Sequence, residues 1–133
     1  MAFTILDSHA LLTLLRSEAG SDIVRALLEK AAEKDIPLHM TEVNYAEVQT
    51  IVRRKAGNAL WKTIADELTA APIQFHPVDR KLADLAADFK TRFRLSLADA
   101  CAAALAKEKK GQLVTGDPEF QALEKEIGIT WLK

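Results

Sequence analysis

The sequence predicts an α/β fold in which a parallel β-sheet carries helices on both of its faces. Short apolar runs of strand length alternate along the chain with longer segments of helical periodicity. The short runs are apolar throughout, which is typical of strands that are covered on both faces. Strands joined through helices pair in parallel, and their right-handed crossovers distribute the helices over both sides of the sheet.

The first strand is expected at Phe3–Leu6, the first short apolar run. Leucines at positions 11, 12, 14 and 15 follow at helical spacing, and Gly20 is expected to end this first helix. Ser21, with the aspartate that follows it, is expected to cap a second helix, because a side-chain oxygen there accepts a hydrogen bond from a free backbone amide. Ile36–Met40 is then expected to form the second strand.

Thr41 is expected to cap the third helix, and Gly57 separates that helix from a fourth one. Pro72 is expected to end the fourth helix, since proline cannot donate the hydrogen bond that a helix interior needs. The run Ile73–Val78 predicts the third strand, and Asp79 is the expected cap of a fifth helix.

Ser96 is expected to cap the sixth helix, whose interior is rich in alanine. Gln112–Thr115 is the predicted fourth strand. Asp117 followed by a proline indicates a short seventh helix, because aspartate is a good cap and proline suits the first helical position. This helix is expected to end at Gly128, before a last strand over Ile129–Leu132.

Length and composition favour one domain over residues 1–133, with 49% hydrophobic residues to build a core. The net charge of -1, from 18 basic and 19 acidic residues, is not the strongly basic balance of a protein that holds nucleic acid by charge alone. The single cysteine, Cys101, excludes an internal disulfide. The sequence shows no signal-peptide pattern and no apolar stretch of about 20 residues, so we expect a cytoplasmic protein without a membrane segment.

Four carboxylates lie where an apolar element ends or where no charge is expected: Asp7, Glu47, Asp99 and Asp117. Asp7 follows the first strand, Glu47 lies in the helix after the second, and Asp117 follows the fourth. Asp99 lies at the start of the helix that leads into the fourth strand. The carboxyl ends of parallel strands meet at one edge of a sheet, where ligands bind at the point of strand-order reversal. We therefore expect all four side chains at one place.

Carboxylates gathered at one place either take up protons or bind a divalent cation. Two unit charges about 4 Å apart repel by about 4 kcal/mol at an effective dielectric constant near 20. Hard cations held by carboxylate oxygens are the usual apparatus for hydrolysing phosphodiesters. The sequence therefore predicts a metal site, with Asp7 and Asp99 as the central ligands.

Each acid also has a structural explanation that involves no metal. Asp7, Asp99 and Asp117 all lie near predicted helix starts, where an acid caps the helix or favours its dipole. This explanation does not extend to Glu47, which lies well inside its helix. Asp99 is the only charged residue between positions 95 and 106, and a lone carboxylate on such an apolar helix is costly unless it is paired or bound to a metal.

Several further polar residues border the four acids. Glu42 and Glu119 are left open as additional contributors to the site. Ser8 and Thr115 are expected to hydrogen-bond the neighbouring carboxylates. The three histidines have no metal-ligand spacing, and His9 is expected to be exposed at the start of its helix.

Four segments of the chain resemble the acidic motifs of PIN-domain ribonucleases. They are Leu6–Ser8 with the following Ala10–Leu12, Val43–Val48, Leu95–Ala100 and Val114–Phe120. Their order and the length of the chain are similar to the VapC toxins of bacterial and archaeal toxin–antitoxin pairs. Each motif is short, but the four occur in the right order and spacing, and the resemblance extends over essentially the whole chain.

The resemblance implies a three-layer α/β/α fold around a central five-stranded parallel sheet. It implies Mg²⁺ or Mn²⁺ bound by Asp7, Glu47, Asp99 and Asp117, and endonucleolytic cleavage of RNA by metal-activated water. It also implies a homodimer and inhibition by a cognate VapB-type antitoxin. Two alternatives stay open: a catalytically silent PIN-like protein-interaction module, and a PIN-type nuclease that acts on other nucleic acids.

An RNA backbone needs cations outside an acidic cleft, and Arg16 and Arg53 are candidates for this contact. Both arginines lie near predicted helix ends, where a solvated cation also favours the helix dipole. The first helix, with its four leucines, carries more apolar residues than one buried stripe needs. Surplus apolar surface of this kind indicates a partner, such as a second subunit or an antitoxin helix.

Overall fold

The computed structural model describes residues 3–132 and contains five strands, six α-helices and one 3₁₀-helix in this range. The strands are β1 Thr4–Leu6, β2 Leu38–Thr41, β3 Ile73–His76, β4 Gln112–Thr115 and β5 Gly128–Trp131. The helices are α1 Ser8–Leu15, α2 Ser21–Lys34, α3 Glu42–Ala56, α4 Asn58–Ala70, α5 Arg80–Arg92 and α6 Leu97–Lys109, and the 3₁₀-helix is Pro118–Leu123.

All five strands run parallel in one sheet, in the order β3-β2-β1-β4-β5. The chain first adds β2 and β3 on one side of β1, then crosses over and adds β4 and β5 on the other side. The strand order therefore reverses between β1 and β4, which are paired in register at Leu6 and Val114. This switch point is where an open parallel sheet leaves room for a ligand beyond its carboxyl edge.

The two faces of the sheet belong to two separate cores, because successive strand residues point to opposite sides. Ile5 and Leu113 face the core formed with α5 and α6, and their neighbours Leu6 and Val114 face the core formed with α1 to α4. These four strand residues are fully buried. The prediction of a three-layer α/β/α fold around a five-stranded parallel sheet is confirmed.

Four of the predicted helix caps are present as expected, and Asp117, the last of them, accepts from the Glu119 amide at the start of the 3₁₀-helix. Thr41, Asp79 and Ser96 each accept a hydrogen bond from the backbone amide three residues on. The predicted cap at Ser21 is wrong, because Ser21 is already the first helical residue of α2. Gly20 occupies the cap position with φ at 98°, which is a left-handed conformation that suits glycine.

Several boundaries differ from the sequence prediction because proline has no backbone amide to donate. β2 begins at Leu38, directly after Pro37, and the Leu38 amide donates to the Pro72 carbonyl at 2.9 Å. β3 ends at His76, where Pro77 follows, rather than at Val78.

The last part of the chain also differs from the prediction. The segment after Asp117 is a short 3₁₀-helix, and Gly128 begins β5 instead of ending a helix.

Among the helices of residues 3–132, none is both long enough and apolar enough to cross a membrane.

Candidate metal centre

Asp7 is the one acid that is fully buried among residues 3–132. It follows β1 directly and caps α1, and its Oδ1 accepts a hydrogen bond from the Ala10 amide at 2.7 Å. Its Oδ2 is also buried, and it has no hydrogen-bond partner in the described part of the chain. A buried carboxylate oxygen without a partner is costly, and a bound cation would remove that cost.

Burial raises the pKa of Asp7 from its ordinary value of 3.8 to about 7. The nearby Thr115 hydroxyl and the hydrogen bond from the Ala10 amide oppose this rise, and the nearby charges of Asp99 and Asp117 add to it. The metal-free protein therefore holds a proton at Asp7 through much of the acidic range.

Asp99 connects the other acids electrostatically. It is the third residue of α6, is half-buried, and has its backbone amide bonded to the Ser96 hydroxyl oxygen at 3.1 Å. Burial, together with the charges of Asp117, Glu47 and Glu119, raises the pKa of Asp99 to about 6, and the hydrogen bond with Ser96 opposes this rise. The charges of Asp117, Glu47 and Glu119 therefore act directly on Asp99. Asp99 in turn repels the carboxylate of Asp7.

Asp117 and Glu119 lie beside Asp99 after the end of β4. One carboxylate oxygen from each of the three acids lies within 4.8 Å of the others. The Thr115 hydroxyl accepts a hydrogen bond from the Asp117 amide at 3.0 Å, and Asp117 Oδ1 accepts one from the Glu119 amide at 3.0 Å. The structure thus places Glu119 within the acidic cluster, a position that the sequence left undecided.

The remaining acids are placed less centrally. Glu47 is half-buried on α3, close enough for its charge to raise the pKa of Asp99, but it does not belong to the group of three oxygens within 4.8 Å. Asp7 is also outside that group. Glu42 is exposed and lines a separate surface cavity with Tyr45. The structure therefore brings Glu47 to the same edge and places Glu42 elsewhere.

No basic side chain neutralises this edge in the described part of the chain. The salt bridges of residues 3–132 involve none of the five acids at the edge, which are Asp7, Glu47, Asp99, Asp117 and Glu119. The donor set consists of carboxylate oxygens, which suit hard divalent cations such as Mg²⁺ and Mn²⁺. The residues that are present therefore fit a divalent metal ion.

Asn44 holds the elements of this edge together. It is fully buried near the start of α3, and its Nδ2 donates to the Ser8 hydroxyl at 3.0 Å and to the Ala98 carbonyl at 3.1 Å. Its Oδ1 accepts a hydrogen bond from the Thr41 hydroxyl. Ser8 and Ala98 are the chain neighbours of Asp7 and Asp99, so one amide fixes the spacing of α1, α3 and α6.

Sequence patterns do not single out Asn44, and they predict that the Ser8 hydroxyl contacts a carboxylate. In the structure the Ser8 hydroxyl instead donates to the Asn44 carbonyl at 3.3 Å and accepts from its side chain. The only sequence signal for Asn44 is a polar residue in the first turn of a helix that buries its apolar face. That signal does not indicate which distant groups the side chain will bind.

The two arginines proposed for RNA contact are exposed. Arg16 is the residue that ends α1, and Arg53 lies in the last turn of α3. At a rise of about 1.5 Å per residue, Arg53 lies roughly 9 Å along the α3 axis from Glu47. Its Nε donates to the Asn58 Oδ1 at 2.8 Å.

The fold and the site together define a class of protein: an α/β/α domain with a carboxylate cluster at the switch point of its sheet. The family model of the PIN domain matches residues 4–126 of this chain. The chain therefore belongs to the PIN domain family, and the predicted resemblance is confirmed. No curated protein sequence matches the chain.

Several solved structures have the same fold as this chain. VapBC2 from Rickettsia felis, bound to a promoter DNA fragment, gives a TM-score of 0.76 at 14% identity, covering 96% of this chain and 97% of that chain. DNA-bound VapBC from Salmonella typhimurium gives 0.74 at 11% identity, covering 100% of both chains. FitAcB from Neisseria gonorrhoeae gives 0.68 at 22% identity, covering 98% of both chains.

These similarities establish a shared fold over the whole length of the described chain. Membership of the PIN family, together with the acidic cluster, supports a hydrolase that acts on nucleic acids.

We expect Asn44→Ala to lower the free energy of unfolding by about 2–4 kcal/mol, because it leaves buried groups on α1 and α6 without partners. Asn58→Ala is the matched control, since Asn58 is exposed and bonds only to an exposed arginine among the described residues. It should change the free energy by less than about 1 kcal/mol. Urea denaturation measures both values, and equal losses in the two variants would contradict this role for Asn44.

Asp7→Asn should stabilise the metal-free protein at pH 8 and stabilise it far less at pH 4. The folded-state pKa of Asp7 is raised, so its favourable contribution is complete below about 4 and is lost as the pH rises through about 7. Asparagine cannot ionise, and its oxygen can still cap α1. The gain at pH 8 should be about 2–4 kcal/mol.

Urea denaturation in the presence of a chelator, at both pH values, measures this difference. Asp84→Asn, at an exposed position of α5, is the control and should show no pH-dependent gain. A gain for Asp7→Asn that is the same at pH 4 and pH 8 would show that its charge carries no burial cost.

Proposed function

We propose that this protein is a metal-dependent endoribonuclease, the toxin of a VapBC-type toxin–antitoxin pair, which hydrolyses RNA phosphodiesters with Mg²⁺ or Mn²⁺. The observation that carries the proposal is the buried, unpartnered Oδ2 of Asp7, close to Asp99 and Asp117 at the switch point of the sheet. Neutralisation of this edge requires protons or a cation from outside the described chain.

Each acid has a distinct part in this proposal. Asp7 and Asp99 are the central metal ligands, because Asp7 is buried at the end of β1 and the charges of the other acids meet at Asp99. Asp117 and Glu47 complete the site, and Glu119 is an additional ligand on the exposed side. When bound, the ion supplies an activated water and screens the charge of the phosphate.

The chain itself holds the carboxylates apart and in place. The Ser96 and Thr115 hydroxyls accept hydrogen bonds from the backbone amides of Asp99 and Asp117 and so fix the position of these residues. The Ala10 amide donates to the Asp7 carboxylate and fixes it. No side-chain nucleophile is needed for this reaction, and Cys101, the only thiol, is buried in the core formed with α5 and α6.

We propose that Arg16 and Arg53 contact the RNA backbone beyond the acidic edge.

We further propose that the chain forms a homodimer and binds a VapB-type antitoxin. Two of the similar structures are VapBC complexes, which supports an antitoxin partner for a chain with this fold. Leu97 at the start of α6 is 58% exposed and borders an apolar groove of about 500 Å³ between α5 and α6. An exposed leucine beside such a groove supports a protein contact at this face.

Asp7→Asn, Asp99→Asn and Asp117→Asn should each abolish Mn²⁺-dependent RNA cleavage and weaken Mn²⁺ binding at least tenfold. Each substitution removes a negative charge from the ion without changing the size of the side chain. Calorimetry with Mn²⁺ and a gel assay with labelled single-stranded RNA provide the two measurements. Asp84→Asn, at its exposed site on α5, should leave both unchanged.

The same assays separate this proposal from the open alternatives. A silent interaction module would take up no Mn²⁺ and cleave nothing, whereas a nuclease for other nucleic acids would cleave DNA flaps in preference to RNA. Intact RNA cleavage by the Asp7→Asn or Asp99→Asn variant would refute the assignment of the central ligands.

We expect the protein to sediment as a dimer at tens of micromolar and Leu97→Glu to sediment as a monomer. The substitution places a charge on the exposed apolar face of α6, where desolvation in an interface would be costly. Leu60→Glu is the matched control, because Leu60 is 47% exposed on α4 and lies outside this groove. A strictly monomeric unmodified protein would contradict the homodimer.

A further inference from the structure

His9 and Gly116 form a close contact beside the carboxylates. His9 is the second residue of α1, two residues after Asp7, and Gly116 is the residue between β4 and Asp117. A Cβ atom added to Gly116 would lie 2.6 Å from His9 Cε1 and 3.2 Å from its Nδ1. The imidazole ring therefore occupies the space that any side chain at position 116 would need.

The backbone does not explain the glycine at this position. Among the glycines of the chain, only Gly20 and Gly57 have a positive φ, so Gly116 has a backbone conformation that other residues can adopt. A larger residue here would displace the ring of His9, which is an exposed side chain. Thr13 directs that ring, because its buried hydroxyl lies 3.3 Å from His9 Nδ1 one helical turn away.

The contact between His9 and Gly116 links the segment that carries Asp7 to the segment that carries Asp117. It does so beyond the last paired residues of β1 and β4. The ladder between β1 and β4 ends at the pair Leu6 and Val114, and the next amide, that of Asp7, is 3.5 Å from the Val114 carbonyl. Beyond this point the chain carrying Asp7 turns into α1, and the chain carrying Asp117 turns into the 3₁₀-helix. The His9 ring on Gly116 joins these two diverging segments.

We propose that His9 is a positioning residue: its ring packs on the bare backbone of Gly116 and fixes the Asp117 carboxylate relative to Asp7. This inference rests on the proposed metal site, because its consequence is the spacing of two of the metal ligands. The ring acts through packing, so an aromatic ring without ionisable nitrogens should serve as well. Residues that orient metal ligands in this way typically contribute about 10- to 100-fold to metal affinity.

The test is a double-mutant cycle on the full chain with His9→Ala, Gly116→Ala and the combined variant. The methyl group of Gly116→Ala would occupy the space of the ring and displace it, so both single variants remove the same contact. We expect each to weaken Mn²⁺ binding about tenfold, measured by calorimetry, and the combined variant to be no weaker than either one.

Two further variants separate positioning from general destabilisation. His9→Phe keeps a ring over Gly116 and should retain Mn²⁺ affinity within about threefold, because only packing is required. Gly57→Ala strains a positive φ far from the acids, so it should lower the melting temperature while leaving Mn²⁺ affinity unchanged. In the metal-free protein, the Gly116 amide resonance should shift strongly in His9→Ala and weakly in His9→Phe.

Unchanged Mn²⁺ affinity in His9→Ala would overturn the inference. Losses of Mn²⁺ affinity from the two single variants that multiply in the combined variant would also overturn it. So would a His9→Phe variant that binds Mn²⁺ as weakly as His9→Ala. If the unmodified protein takes up no Mn²⁺, the proposed function fails and the positioning role fails with it. Uptake by the unmodified protein with the same affinity in His9→Ala removes the positioning role alone.

Discussion

Repulsion among carboxylates at the carboxyl edge of the sheet is the constraint on which the rest of this structure depends. Five acids from four segments share this edge, and none of them has a salt bridge within residues 3–132. At about 4 kcal/mol for each pair about 4 Å apart, the edge cannot stay fully ionised without an external cation. Burial is the main cause of the raised pKa values of Asp7 and Asp99 in the metal-free protein, and the repulsion between the acids adds to it.

The scaffold holds these acids together by local capping and by one central amide. Asp7, Asp99 and Asp117 each lie at a helix start, where hydrogen bonds to the backbone fix their positions. Asn44 then ties the three helices α1, α3 and α6 to one another. The reversal of strand order between β1 and β4 leaves the edge open, so the same features that gather the charge also leave space for a ligand.

The features that the sequence predicted well depend on neighbouring residues. Thr41, Asp79 and Ser96 cap their helices through amides three residues away, and proline and glycine mark most of the element ends. The features that it missed depend on distant residues. Asn44 reaches Ala98 across 54 positions, and His39 hydrogen-bonds His76 at 2.8 Å across 37, contacts for which a linear pattern has no signal. Glu119, in the 3₁₀-helix, lies close to Asp99 in space although 20 positions separate the two residues in the sequence.

The most direct test of the central claim is a crystal structure of the protein grown with Mn²⁺, with anomalous scattering measured at the manganese edge. We expect one or two anomalous peaks at the carboxyl edge, with Asp7 Oδ2 and an Asp99 oxygen within about 2.3 Å of manganese. A map with no peak at this edge, or with Asp7 Oδ2 still unpartnered beside a peak elsewhere, would contradict the account.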